Sequence, residues 1–231
     1  MDFIEVEKGL VLTRHCAAYH APESVGVVSD LHIGYEAAAA EDGALIPRTN
    51  RDQVMRNLTA FIEEYSPHTL VVNGDFKHMF GRNSPQEWRE VKEVLSSIVS
   101  AVDRQVIVRG NHDNFLAAIL PDEVQIVGHI QIGRLWITHG HRRSSLPEEG
   151  IKLLGHEHPT ILLKDDVGAA IRLKCYLYHR RRRILVLPAL SGLSKGSHIH
   201  ARGFFSPALR DADPAEMEVY AISDIGMLHL P

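Results

Sequence analysis

Cysteine is nearly missing from this chain, with two thiols, Cys16 and Cys175, in 231 residues. They form no CxxC pair, which excludes a disulfide framework and a cysteine-based zinc site and suits incidental or buried thiols in a reducing compartment. Long apolar runs are missing too. No stretch approaches the roughly 18 residues that span a bilayer, and the opening MDFIEVEKGL has no basic-then-apolar leader. A cytoplasmic protein without membrane association is therefore expected. Positive charge is not in excess: the net charge is −4 with histidine neutral, so any contact with nucleic acid must be local. There is also no internal repeat, heptad or low-complexity segment. What remains, at 45% hydrophobic residues, is an ordinary globular composition with room for a substantial core, and one domain over 1–231 is expected.

Histidine, by contrast, is plentiful, at 15 residues, and imidazole is the commonest transition-metal ligand and proton shuttle near neutral pH. Five segments concentrate it: Asp30-Leu31-His32, Gly74-Asp75, Gly110-Asn111-His112-Asp113, His139-Gly140-His141 and Gly155-His156-Glu157-His158. Each follows a short apolar run (VGVVS, TLVVN, QVIVR, LWIT, IKLL) of the kind that forms buried strands. Metal-seeking residues thus fall at the C-terminal ends of strands, where open α/β sheets place their sites.

Phosphate-ester hydrolysis needs a strong nucleophile at neutral pH and neutralised phosphoryl oxygens. Two divalent ions about 3.5–4 Å apart supply both, and they need carboxylates, imidazoles and one shared carboxylate. Asp75 is the natural bridge. Asp30 and His32, one residue apart, can aim at the same ion, while His156 and His158 can give one imidazole to each. Asn111 offers a neutral amide oxygen; its neighbour His112 is better placed to meet substrate.

Between these segments, Val54, Leu58, Phe61 and Ile62 mark an amphipathic helix over 49–65, with Pro47 and Thr49 at its start. Ser84-Pro85 caps a second helix ending near Val102. Residues 3–19 read as an opening strand pair. After Val124 the chain turns strand-rich, over 124–138, 151–155, 160–164, 169–178, 184–188 and 217–222. That change of texture suggests two sheets face to face with helices outside. The 190–213 segment is an unusually long loop, expected either to cover the active site or to be partly disordered.

The five blocks, in this order and all intact, resemble those of the calcineurin-like metallophosphoesterases. The resemblance implies an α/β fold, a four-layer α/β/β/α sandwich of two mixed sheets flanked by helices. It also implies that Asp30, His32, Asp75 and His158 bind one metal and Asp75, Asn111, His139 and His156 the other. His112 corresponds to the family's catalytic histidine, and in-line attack by metal-bridging hydroxide is the implied step. His141 is the alternative to His139.

Gly74-Asp75-Phe76-Lys77-His78 narrows the reading. The GDxVDRG arginine of Ser/Thr phosphatases and the tyrosine ligand of purple acid phosphatases are absent. His78 instead resembles the nuclease branch, where it touches the substrate phosphate, and GDFKH resembles small bacterial and archaeal enzymes linked to Lhr-type DNA helicases. The resemblance implies a manganese-dependent phosphodiesterase acting on DNA, a functional link to a DNA helicase and a setting in DNA repair. The ligand set itself also accepts Zn2+, Fe2+ or Ni2+.

Two other readings compete. A small-molecule phosphomonoesterase or cyclic-nucleotide phosphodiesterase would show an enclosed pocket beneath the 190–213 loop. A non-catalytic scaffold would have lost a ligand or the catalytic histidine, and none is lost here. Lys77 is expected to be exposed, and Arg109 either supports the site or pairs with a carboxylate. Local phosphate-tracking charge is sought at Arg142-Arg143, at the turn Arg180–Arg183 and at Lys195 with Arg202. Phe204-Phe205 either stacks bases or packs in the core. His15, His20, His129 and His198 to His200 carry no motif.

Overall fold

A computed structural model describes residues 1–44, 46–164, 168–194, 196–198 and 203–230. Lys195, His200 and Arg202 lie outside the described residues. The first half builds strands β1 (Phe3–Glu7), β2 (Leu10–Thr13), β3 (Ala18–His20), β4 (Val25–Val28), β5 (Thr69–Asn73), β6 (Arg104–Val108) and β7 (Gln125–Val127). They form a sheet in sequence order. Antiparallel pairing joins β1 to β4, and parallel pairing joins β4 to β7. Helices α1 (Tyr35–Glu41), α2 (Asn50–Tyr65) and α3 (Pro85–Ala101) interrupt the parallel part.

The second half supplies β8 (Ile130–Ile132), β9 (Leu135–Ile137), β10 (Ile151–Leu154), β11 (Pro159–Lys164), β12 (Ala170–His179), β13 (Ile184–Val186), β14 (Ser197–His198), β15 (Glu218–Ser223) and β16 (Gly226–Leu230). They make a second mixed sheet ordered β14-β11-β12-β13-β10-β9-β8, with β15 and β16 branching from β12.

Alternation of side chains explains the layering, because successive residues of a strand face opposite sides. In β4, β5 and β6 the residues Val28, Leu70, Val72 and Ile107 face α2 and α3, meeting Val54, Leu58, Phe61, Val91, Val94 and Ile98. Their neighbours Val25, Val27, Val71, Val106 and Val108 face the second sheet, against Ile137, Leu153, Tyr176, Tyr178 and Leu185. Tyr176 fits in that apolar layer because its hydroxyl donates to the carbonyls of Thr13 and Ala17. Gly26 passes so close under Phe61 that a Cβ there would lie 2.5 Å from the ring. Truncating Phe61 would cost about 3–5 kcal/mol.

Both expected helices form where the spacing places them. Ser84 accepts the Glu87 N–H at 3.1 Å, capping α3 directly ahead of Pro85. The two mixed sheets pack face to face as expected, but all three α-helices interrupt the first sheet in sequence. The outer face of the second carries Cys175, Leu177, Val186 and Val219 under Leu209, Ala212 and Met217, from a stretch of turns and one short 3-10 turn. The opening pair is three strands. The stretch 124–138 divides into β7 of one sheet and β8 and β9 of the other, so the chain changes sheets at Gly128. Short α1, β14 and β16 carry no clear sequence signal. Among the described residues no helix is long and apolar enough to cross a membrane.

Candidate metal centre

The five motif loops leave β4, β5, β6, β9 and β10, and the parallel pairing within each sheet brings their ends to common edges. These loops are locally strained. Asp30, His32, Asp75, His156 and His158 all take positive φ, between 45° and 69°, and make up half of the ten such non-glycine residues described. Such conformations cost about 1–3 kcal/mol each and persist only where surroundings enforce them. Here the first two loops are zipped together: Asp30, His32 and Ile33 donate their N–H groups to the carbonyls of Gly74, Asp75 and Phe76. Close approach explains three glycines. A Cβ at Gly74 would strike the His139 ring, one at Gly110 the Asp75 carboxylate, and one at Gly155 the Ser29 hydroxyl.

The folded chain gathers two donor groups that share Asp75. One is Asp30, His32, Asp75 and His158; the other is Asp75, His139 and His156; within each, potential ligand atoms lie within 4.8 Å of one another. Asp30 Oδ1 is 3.0 Å from His158 Nε2, and Asp75 Oδ2 is 3.5 Å from His139 Nε2 and 3.9 Å from His32 Nε2. Asn111 Oδ1 joins the second group at 3.2 Å from His139 Nε2. A third cluster, His32, His78 and His112, lies alongside. Asp75 Oδ1 accepts the His112 N–H at 2.9 Å, and His112 Nδ1 bonds the His78 carbonyl, leaving Nε2 as the ring atom without that anchor.

Electrostatics test whether divalent ions fit. Asp30 and Asp75 are buried, and among the described residues their ion-pair partners are imidazoles only, with no Lys or Arg. Burial opposes ionisation of Asp30, but His158 and His139 carry its carboxyl down to about 2. Asp75 is likewise held ionised against its burial, chiefly by His139. Burial pushes His32 down to about 3 and His78 and His156 to about 4, which leaves them neutral. Burial disfavours a charged His139 also, yet the contact with Asp75 outweighs it and lifts that ring to about 9. Two buried ionised carboxylates facing a single protonated imidazole, His139, with His32 and His156 neutral beside them, lack a full counter-charge and are a donor set that divalent cations fit, the cation displacing the His139 proton.

The surroundings include residues that sequence reasoning missed. Ser29 donates to Asp30 Oδ2 at 2.6 Å and to the Asn73 carbonyl at 2.8 Å, which also accepts from His139 Nδ1. Asn50, at the start of α2, donates to the carbonyls of Leu31 and His32, and its Oδ1 accepts from Ser191 and Gly192. Asp113 accepts the N–H groups of Gly110, Phe76 and Lys77. Asp113 is visible in sequence as the last residue of Gly110-Asn111-His112-Asp113, whereas Asn50 carries no signal beyond that of an ordinary helix-start residue.

Other expectations divide. Lys77 is fully buried rather than exposed, because Glu87 lies 3.8 Å away and the carbonyls of Met79 and Arg82 accept from its ammonium. Arg109 is exposed, directly after β6. His141 lies beside His139 with ring centres 5.2 Å apart, but neither of its nitrogens has a hydrogen-bond partner. In the arginine turn, Arg180 pairs with Glu218, Arg182 with Asp211 and Arg183 with Glu7, so those charges are already matched. His15 pairs with Glu64, and His129 stacks on Trp136. Both cysteines are buried free thiols.

The start of the 190–213 loop, residues 190–194, runs alongside the site. Leu190 and Ser191 donate to the carbonyls of Ser29 and Asp30, and Ser194 Oγ lies 2.6 Å from His158 Nδ1. Two hollows flank the centre: an open one of about 450 Å³ beside His78, Phe80 and His112, and one of about 340 Å³ walled in part by residues 196–198 and 203–205.

A fold with two donor groups sharing one carboxylate defines a binuclear metallophosphoesterase architecture. The calcineurin-like phosphoesterase family matches residues 24–180, and the chain belongs to it. The fold is that of Pseudomonas putida nuclease MPE, with a TM-score of 0.69 at 21% identity, over 99% of this chain and 98% of that one. A looser likeness joins it to YfcE, a phosphoesterase from E. coli, with a TM-score of 0.42 and 18% identity over 75% of this chain and 83% of that one. No curated protein matches the sequence.

Proposed function

We propose that the protein is a manganese-dependent phosphodiesterase that cleaves nucleic acid, most naturally DNA. One observation carries the reading: Asp75 is shared by two compact donor groups, with His112 and His78 clustered beside them. In this reading Asp30, His32, Asp75 and His158 hold one ion and Asp75, Asn111, His139 and His156 the other. The ion pair supplies charge neutralisation of the phosphoryl oxygens and an acidified water. His112 is oriented through Nδ1 by the His78 carbonyl, which presents Nε2 toward substrate to hold or give a proton at the leaving oxygen. His78, half-buried and stacked on His112 with ring centres 5.3 Å apart, contacts a non-bridging phosphate oxygen. Manganese, the link to a DNA helicase and a role in DNA repair rest on the resemblance of GDFKH alone.

The smaller hollow favours a second reading, a small-molecule phosphatase with a partly enclosed site. Manganese-dependent turnover of bis-p-nitrophenyl phosphate, p-nitrophenyl phosphate and single-stranded DNA separates the two, with His112→Ala and Asp75→Ala as controls. Diester and DNA cleavage lost in both variants supports the nuclease. Monoester turnover with intact DNA supports the small-molecule enzyme, and inactivity with every divalent metal supports a scaffold.

A further inference from the structure

The hollow of about 340 Å³ is lined by Arg172, Gly196, Ser197, Phe204 and Phe205 and reaches Glu157, in the turn between His156 and His158. Three contacts tie its walls to the metal centre. Glu157, buried between the two imidazoles, accepts the N–H groups of Phe205 at 3.1 Å and Ser206 at 2.5 Å. Ser194 bonds His158 from the other side. Gly196, with φ of +61°, lets the loop run so close to β11 that a Cβ would meet the Thr160 methyl at 2.3 Å and the His158 carbonyl at 2.7 Å. The hollow is thus fixed relative to the centre by the residues that shape the centre itself.

Its two phenylalanines behave differently. Phe204 packs against the apolar cluster on the outer face of the second sheet. Phe205 leaves 51% of its surface exposed, and its ring centre lies 6.4 Å from that of His156, beside the donor groups. A ring presented to solvent one ring-width from a phosphate-binding centre suits a nucleobase, which lies one sugar away from its phosphate. Arg172, anchored to Thr160 Oγ1 at 3.3 Å, and the Ser197 hydroxyl add polar groups to the wall, as a base edge requires.

Resting on the nuclease reading above, we propose that this hollow receives the unstacked nucleobase adjoining the scissile phosphate, with Phe205 as its stacking face. A base can enter only when turned out of a duplex stack, so the hollow also sets which side of the cut must be unpaired.

The test uses the full chain with manganese and a single-stranded oligonucleotide, intact or carrying one tetrahydrofuran abasic residue at each position around the cut. Wild-type protein should lose about tenfold in kcat/KM at one position only, the size of a lost base–aromatic stack. In Phe205→Ala that positional penalty should shrink to within about twofold, whereas Phe205→Trp should keep it. A penalty of equal size in wild type and Phe205→Ala, or no position-specific penalty in wild type, overturns the proposal while leaving the nuclease reading intact. Failure of wild-type protein to cut any oligonucleotide while it turns over bis-p-nitrophenyl phosphate overturns both, and so separates the two failures.

Discussion

Two charged regions of this molecule look alike in sequence and differ in physics. The turn at 180–183 is a block of four arginines, three of which lie at 2.5–3.0 Å from a carboxylate on the protein surface. The rim at 30–158 buries two carboxylates whose ion-pair partners are imidazoles. Exposed pairs are worth about 0–1 kcal/mol and signify little, whereas buried charges without full compensation are costly and persist for a reason. Charge density in a sequence therefore says less about function than whether the fold completes or withholds the counter-charge.

The sharpest way to break this contrast is at Asp75. Asp75→Ala should reduce manganese-dependent turnover by at least about a thousandfold, near 4 kcal/mol of barrier, measured as kcat/KM on a diester. On the manganese reading, wild type should gain thermal stability on adding manganese, about 2.7 kcal/mol at a hundredfold excess over Kd, and the same variant should not. Equal metal-dependent shifts in both proteins would remove Asp75 from the ligand set.

Lys77 tests the intermediate case, a buried charge that is compensated. Lys77→Met strands the Glu87 carboxylate, which burial already pushes upward, and should cost about 3–5 kcal/mol in urea unfolding. A loss under about 1 kcal/mol would mean that the backbone N–H groups of His78 and Met79 satisfy Glu87 alone.

Gly110→Ala probes the geometry rather than the charge. Its Cβ would lie 2.1 Å from Asp75 Oδ1, so overpacking of about 1–3 kcal/mol should accompany a loss of metal affinity in titration calorimetry. Unchanged affinity would show that Asp75 can shift freely.

On the surface turn the expected effects are small. Arg182→Ala should leave stability within about 0.5 kcal/mol and DNA cleavage unchanged; a weaker salt dependence of cleavage would instead make this turn a phosphate contact. At Glu7, burial raises the carboxyl, but Tyr178 and Arg183 outweigh it and hold the folded pKa below the usual value. The stabilisation is present above the unfolded pKa and lost as pH falls through the folded one. The stability gap between wild type and Glu7→Gln, under about 1 kcal/mol, should therefore close in acid unfolding curves as pH falls past the ordinary glutamate range and through the lowered folded pKa.

The elements most legible in the sequence were those fixed by local spacing. Val54, Leu58 and Phe61 mark α2, Ser84-Pro85 marks α3, and the apolar runs before each motif mark strands whose ends carry the donors. What stayed hidden depends on contacts between distant segments. The sequence pattern could not show that β7 and β8 belong to different sheets, because three-residue strands have too little periodicity. Lys77 reads as exposed by residue type, and its burial depends on the approach of Glu87 from α3 together with the carbonyls of Met79 and Arg82. Asn50 is invisible for the same reason, since its partners Leu31, His32 and Ser191 come from two remote loops.

The change of sheet at Gly128 has a mechanical consequence. His32 leaves the first sheet and His158 the second, 126 positions apart in the chain, yet their Nε2 atoms stand 3.3 Å from each other. A cation gripped by both would act as a reversible cross-link that closes a very long loop, and cross-links of that span restrict the unfolded chain strongly. Metal loading would then govern how firmly the two halves of the protein are fastened, so a chelator should loosen the seam between the sheets before either sheet comes apart.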